Sequence, residues 1–530
     1  MEDERNEEIQ SLTNRTTNEG YTGLNNVISD TSARTFKKGG IPQPSFKDVI
    51  PQVIASCIVH CIVIQAGINM AYSTILTNGL KRGENNITID ENAESWIASI
   101  VTISLPIGSL LVGPLMDKFG RKTICLASCV PVIGSWILLM ISNSLPMVYF
   151  ARTMAGAAAG LTTVGLVYVS EITHPQVRPM LLCLNSVFVS FGILISCFFA
   201  MWLNWYQMAI IFLVLNIFIF FALFTIPESP YWLLCFNGEA FNEKRTAKAE
   251  RSLKWLNRNH TFYEQEYERI KEIYHSRQQQ EEVSKNILQS IKYYYHRVIS
   301  PNVYKPIAIL FFLLLLQQFS GVYVVIFYAI SVFHEIGGSF GGGVDEYGAL
   351  LLLGVIRFAM SLVTVYFSKI YGRRLLSIIS GLGMTFSMFF SAMYLYLTSS
   401  CDENGQIVNQ RWLLLVIVLF YVCMSSLGFI VIPWTMIGEL LPISVRGTGS
   451  GVMTAVAYII MFAVVKSFPY MLKAIGGQGV FFFFSLMSLA ATSFVYIFLP
   501  ETLGKTFAEI ESYFDKGKEK SRQQIRTVDC

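Results

Sequence analysis

Twelve stretches of about 20 or more mostly apolar residues constrain this chain more than anything else in it. They fall near 51–73, 95–116, 123–142, 148–169, 181–202, 207–226, 307–330, 347–368, 375–397, 412–435, 449–471 and 479–499. Each is long enough to cross the roughly 30 Å hydrocarbon layer of a bilayer. Hydrocarbon offers no partner to a backbone N–H or C=O, and the runs lack the alternation of barrel strands, so the spans must be helices. With 53% hydrophobic and 14% charged residues in 530, the chain is too apolar for an ordinary soluble enzyme. The expected fold class is an all-α membrane protein of twelve transmembrane helices.

The spans divide six and six, and the halves repeat each other. Leu110–Lys122, LLVGPLMDKFGRK, returns in worn form as Tyr366–Arg374, YFSKIYGRR. Glu171 precedes Arg178 by the interval that separates Glu439 from Arg446, and PESP at Pro227 recurs as PETL at Pro500. Second copies lie about 250–275 residues after the first, so one half-protein has been duplicated. Parallel repeats of apolar helices are the architecture of secondary transporters, with a substrate site between the halves. The expected domains are a disordered cytoplasmic N-terminus at 1–47, a six-helix bundle at 48–226, cytoplasmic linker helices at 227–304, a second bundle at 305–500 and a cytoplasmic tail at 501–530. The linker, charged and helix-prone, is either a latch on the inner gate or a solvated connector.

Lysine and arginine placement orients the chain. On one side lie 33 of the 40; the other side carries only Lys81, Arg82, Arg411 and Lys473. The positive-inside rule then puts both termini in the cytoplasm. The net charge of +4 reports this topology; no basic stripe with interleaved aromatics points to nucleic acid. The ten cysteines fall mostly within spans, form no CxxC pair and suit packing. No His/Cys cluster has metal spacing, and the polar first 47 residues do not resemble a cleavable signal. Asn86-Ile87-Thr88 is a glycosylation sequon on the expected outer side.

Charges collect at the cytoplasmic helix ends: Asp117, Arg121, Glu171, Arg178, Glu228, Arg373, Glu439 and Arg446. We expect acids and bases there to bridge the halves when the inner side is closed and to part when it opens, as weak reversible pairs suit a two-state device. Gly113 is expected to let a neighbouring helix approach closely.

These pieces carry a resemblance. GPLMDKFGRK, Arg152 with Gly156 and Gly160, PESPYWLL at 227–234, LQQFSG at 316–321, GELLPISVRG at 438–447 and PETLGKTFAEI at 500–510 resemble the sugar porters of the major facilitator superfamily over roughly residues 50–512. ESWIAS at 94–99, IPESPYWL and Lys466 are most similar to the insect facilitated trehalose transporters. The resemblance implies that Gln317 and Gln318 hydrogen-bond sugar hydroxyls and that the Trp434 indole covers a sugar face; amide and aromatic chemistry suits both roles. The alternative for the amides is helix-to-helix bonding. Elsewhere the hexose pattern is lost: Ser186 stands for Gln, Tyr323 for Asn, Ser426 for an acid, Ile430-Val431 for a Gly-Pro pair and Ala457-Tyr458 for Asn-Trp.

Arg357 replaces an Asn mid-span, where a charge costs about 2.5–3.5 kcal/mol on insertion scales. It either faces the central cavity and influences substrate, or snorkels without a specific partner. Proton-driven relatives pair the fourth-span arginine with a first-span Asp. Here that position in IQAGINMAYS holds Asn69, which cannot titrate near neutral pH, and His60 is the nearest titratable group in that helix. The expected function is therefore uniport of a small neutral sugar, trehalose first and glucose second, by a monomer in the plasma membrane without cofactor or metal. A proton-coupled sugar or polyol symporter and a non-transporting sugar sensor are the alternatives. Enzyme signatures are weak: Gly337–Gly341 formally matches GxSxG but sits in a glycine-rich loop, and LGKT at 503–506 lacks the upstream glycine of a phosphate loop.

Overall fold

Local chemistry marks the helix ends. Asp90 starts the second span, its Oδ1 accepting from Ala93 N–H at 2.8 Å, with Glu91 and Glu94 in the positive first turn. Asn204 and Gln207 form a reciprocal capping box on the sixth. A computed structural model describes residues 46–83, 87, 89–174, 177–235, 243–259, 263–264, 266–268, 270–271, 301–335, 346–400, 411–441, 446–503, 510 and 513–514. Of Met1–Asp48, a unit of its own, only the helix start at 46–48 is described; Val49–Cys530 forms the other unit.

Among the described residues, eleven helices are long and apolar enough to cross a membrane. The last, Gly449–Phe498, passes through non-helical Gly476 at φ 67° and is two spans, so the twelve expected spans are present. The first six are Phe46–Lys81, Glu91–Phe119, Arg121–Met140, Leu145–Leu161 continued by Val164–Ile172, Arg178–Phe199 and Trp205–Ala222. The seventh is segmented as Pro301–Phe319, Val324–Phe327 and Ala329–Glu335; the eighth is Glu346–Ile370 and the ninth Arg373–Ser400. The tenth breaks between Arg411–Leu427 and Ile432–Leu440, and Arg446–Phe498 holds the last two. Pro230–Cys235 and Glu243–Leu256 are short helices of the linker.

Within the first half, the second span packs on the fourth and the third on the fourth and sixth. Within the second, the ninth packs on the tenth and on the eleventh–twelfth pair. The halves meet along two seams, second against eleventh and fifth against eighth. Small residues allow the closest approaches. A Cβ on Gly108 would lie 2.0 Å from Ala157 O, one on Gly160 2.2 Å from Leu105 O, and one on Gly67 1.9 Å from Val189 O. Gly113 differs from expectation. A methyl there meets nothing within 4 Å, so its end of the second span is not where a helix closes in. Gly160→Val should destabilise the detergent-purified protein by about 1–3 kcal/mol, read as a lowered thermal midpoint, while Gly113→Ala leaves it unchanged. Equal midpoints for the two variants would contradict this packing.

The tenth-span break persists although the Gly-Pro pair expected there is Ile430-Val431. A break frees backbone groups that hydrocarbon cannot satisfy, and side chains from three other spans take them. Thr364 Oγ1 donates to Ser426 O at 3.0 Å, Ser380 Oγ donates to Met424 O and accepts from Phe429 N–H, and Gln317 Nε2 donates to Phe429 O at 2.5 Å.

Candidate functional site

The basic face carries the same charged cluster twice. In the first half Arg121, nearly buried, donates through Nε to both oxygens of Glu171 at 3.0 and 3.1 Å and pairs with Asp117 at 3.3 Å. Glu228 Oε1 accepts from the N–H groups of Arg121 and Lys122 at 3.0 and 2.9 Å, capping the third span from a distance. Ser229 Oγ donates to Glu171. In the second half Arg373 pairs with Glu439 at 3.1 Å, Glu501 accepts from the N–H groups of Arg373 and Arg374 at 3.0 and 3.2 Å, and Thr502 Oγ1 donates to Glu439 at 2.5 Å. Glycine makes room for each acid: a Cβ on Gly120 would sit 2.6 Å, and one on Gly372 1.9 Å, from the capping carboxylate.

These pairs do not bridge the halves. Each joins turns of one half, for Asp117, Arg121, Glu171, Glu228, Arg373 and Glu439 alike, in a conformation whose bridged face is the opposite one; bridging across the basic face was expected of the state closed there. The physical reason is that each acid is consumed in capping or ion pairing within its own bundle. Arg178 Nη2 donates to Thr173 O at 2.8 Å; the Arg446 side chain and Asn86 lie outside the described residues. Glu501, Ser229 and Thr502 complete the clusters. The repeated Pro-Glu-Ser and Pro-Glu-Thr triplets were the available signal for the two hydroxyls.

The opposite, charge-poor face does bridge the halves. Asn78 Nδ2 donates to Tyr347 Oη at 3.0 Å, Ile330 N–H to Thr74 Oγ1 at 3.2 Å and Ser95 Oγ to Lys466 O at 3.0 Å. The Lys466 ammonium lies 4.1 Å above the Trp96 ring and donates to Asn92. On the basic side a narrow cleft opens between Cys183 of the fifth span, Thr364 and Ser368 of the eighth, Arg373 of the ninth and Ile432 and Thr435 of the tenth.

None of the seven predicted substrate residues lines that cleft. Trp434 Nε1 donates to Tyr323 Oη at 2.8 Å, and the Trp434 and Tyr458 rings stand 5.2 Å apart, building an aromatic wall from the seventh, tenth and eleventh spans. Arg357, 2% exposed, lies within electrostatic range of the Tyr323 hydroxyl and the Cys197 thiol, at the fifth–eighth seam. Its Nε and Nη1 have no hydrogen-bond partner. Gln318 is buried with neither amide atom partnered, and Gln317 keeps an unpartnered Oε1.

Two predicted residues are occupied elsewhere. Asn69 Oδ1 accepts from Arg152 Nη1 at 3.1 Å while its Nδ2 donates to Gln65 O. Arg152 also donates to Asn69 O and Ser73 Oγ, so Asn69 and Ser73 solvate a buried cation. Ser186 Oγ donates to Cys183 O of its own helix at 2.9 Å. Tyr458 was readable only as a lost hexose-pattern position, and Ser73 had no signal beyond its spacing of one turn from Asn69.

A family profile described as "Sugar (and other) transporter" matches residues 60–514. The chain is 31% identical over 464 residues to facilitated trehalose transporter Tret1-1 of Drosophila sechellia and to trehalose transporter 1 of Drosophila melanogaster, covering 87% of this chain and 51% of each relative. To facilitated trehalose transporter Tret1 of Culex quinquefasciatus it is 29% identical over 474 residues, 88% of this chain and 87% of that one. The chain thus spans about half the length of the first curated relatives it matches. Its fold is similar to the proton:xylose symporter XylE bound to 6-bromo-6-deoxy-D-glucose, with TM-score 0.68, 21% identity, and coverage of 87% of this chain and 99% of that chain. An inward-open conformation of XylE from E. coli matches with TM-score 0.65 and 22% identity over 86% of this chain and 98% of that one.

Proposed function

The chain belongs to the sugar (and other) transporter family, and from that premise we propose that it carries a hydroxylated sugar across the plasma membrane by facilitated diffusion, trehalose first and glucose second. The observation that carries this reading is a stranded polar set on the seventh and eighth spans. Gln318, the Gln317 carbonyl and two nitrogens of Arg357 are buried without partners, Arg357 within electrostatic range of the Tyr323 hydroxyl that Trp434 bonds. Buried polar groups are rarely left unpaired, and sugar hydroxyls supply the donors and acceptors these groups lack. With both termini cytoplasmic, the bridged, charge-poor face is the outer one, and the solute exchanges toward the basic face. The reverse step needs the outer bridges to break, and each is a single hydrogen bond or exposed pair of modest strength.

Uniport is favoured over symport because the group hydrogen-bonded to Arg152 is the Asn69 amide, which does not change protonation near neutral pH. In proteoliposomes, trehalose or glucose uptake should equilibrate but not accumulate, and a protonophore should leave the rate unchanged. Acid-driven accumulation against a gradient would replace uniport with symport; inert vesicles would end the transport reading.

A further inference from the structure

Two arginines lie at the centre of the membrane-spanning bundle, and the protein treats them differently. Arg152 is solvated by Asn69 and Ser73 through its terminal nitrogens. Arg357 is equally buried, yet no hydrogen bond or ion pair reaches it: among the described residues the ion pairs involve Lys81, Arg121, Lys271, Arg373 and Lys473. The titratable groups within its electrostatic range are the Cys197 thiol and the Tyr323 phenol, neither of which offers it an anion. A buried guanidinium left uncompensated is among the costliest arrangements a protein can hold. A neutral hydroxyl returns only part of what water gave. A carboxylate returns the full charge interaction in a two-pronged geometry that guanidinium matches.

We infer that the central site takes a sugar acid, with its carboxylate on Arg357, its hydroxyls on Gln318 and the Gln317 carbonyl, and its C–H face against Trp434 and Tyr458. This deepens the proposed function and rests on its placing of solute between the halves, while exchanging a neutral sugar for a monoanionic one. A consequence separates the two: carrying a monoanion moves charge, whereas carrying trehalose or glucose does not.

The test is uptake of D-glucuronate, D-gluconate, D-glucose and trehalose by purified full-length protein in liposomes, with potentials set by potassium and valinomycin. Glucuronate or gluconate should enter at least tenfold faster than glucose, and an inside-positive potential of about 59 mV should raise its equilibrium accumulation tenfold. Arg357→Gln should lower the ratio of acid to glucose uptake tenfold or more, and Arg357→Lys should retain it. The wild-type potential dependence decides the matter even where a variant fails to fold. Uptake of glucose or trehalose with neither acid transported nor competing overturns the inference and leaves sugar transport standing. Uptake of neutral sugar that requires chloride would assign the arginine to an inorganic anion and overturn it too. Vesicles inert to all four solutes, with no quenching of tryptophan fluorescence by glucuronate, overturn both readings.

Discussion

Arg121→Ala is expected to destabilise the protein by about 3–5 kcal/mol, because it strands Glu171 in a nearly dry site. The Arg121 side chain is 3% exposed and that of Glu171 11%, and the guanidinium also donates to Met116 O at 3.1 Å. Removing it leaves a carboxylate with only the Ser229 hydroxyl for company. The duplicated cluster supplies an internal control. Arg373 and Glu439 are wetter, at 10% and 26% exposed, so Arg373→Ala should cost clearly less. Replacing both partners, Arg121→Met with Glu171→Leu, should recover most of the loss, since an apolar pair of similar volume often matches a buried ion pair. Denaturation midpoints in detergent, read by thiol accessibility or intrinsic fluorescence, rank the variants. A cost for Arg121→Ala below that of Arg373→Ala would remove the argument from burial.

That experiment also bears on how much the sequence could say. The twelve spans were legible because hydrocarbon allows an apolar backbone only one hydrogen-bonded solution. The pairing of halves was legible because GPLMDKFGRK, Glu171 with Arg178 and PESP each return once. What remained hidden was lateral. A motif locates a charge at a helix end, but not whether the acid across the gap belongs to its own bundle. Glu228 and Glu501 look alike as gate residues or as caps, and only the distances to Arg121 N and Arg373 N decide for caps.

Gly113 illustrates the same limit, since one open side of a helix cannot be told from another by spacing. The tenth-span break survives loss of its Gly-Pro pair through Thr364, Ser380 and Gln317, which lie 44–112 residues away along the chain from the groups they bond. Arg357 was legible as a costly charge. That no described residue compensates it was not, because being unpaired is a property of every neighbour at once.

Gln318→Leu is the second large effect, and its two consequences should point in opposite directions. Both amide atoms of Gln318 are buried and unpartnered, and stranding a polar group costs about 1–3 kcal/mol. Leucine has nearly the same volume and no such debt, so the sugar-free protein should hold its stability or gain. Transport should fall about tenfold to a hundredfold, the loss of one to two hydrogen bonds to solute at roughly 1.4 kcal/mol per decade. Gln317→Leu should behave differently. Gln317 Nε2 satisfies Phe429 O in the tenth-span break, and its loss exposes a carbonyl that has nowhere else to turn. That variant should lose stability first and transport as a result. Thermal midpoints and uptake rates measured on the two variants side by side separate a solute-binding amide from a structural one. If Gln318→Leu melts more than about 1 kcal/mol below the wild type, or transports at the wild-type rate, then Gln318 is packing and the solute contacts must be sought along the Tyr323–Trp434 wall alone.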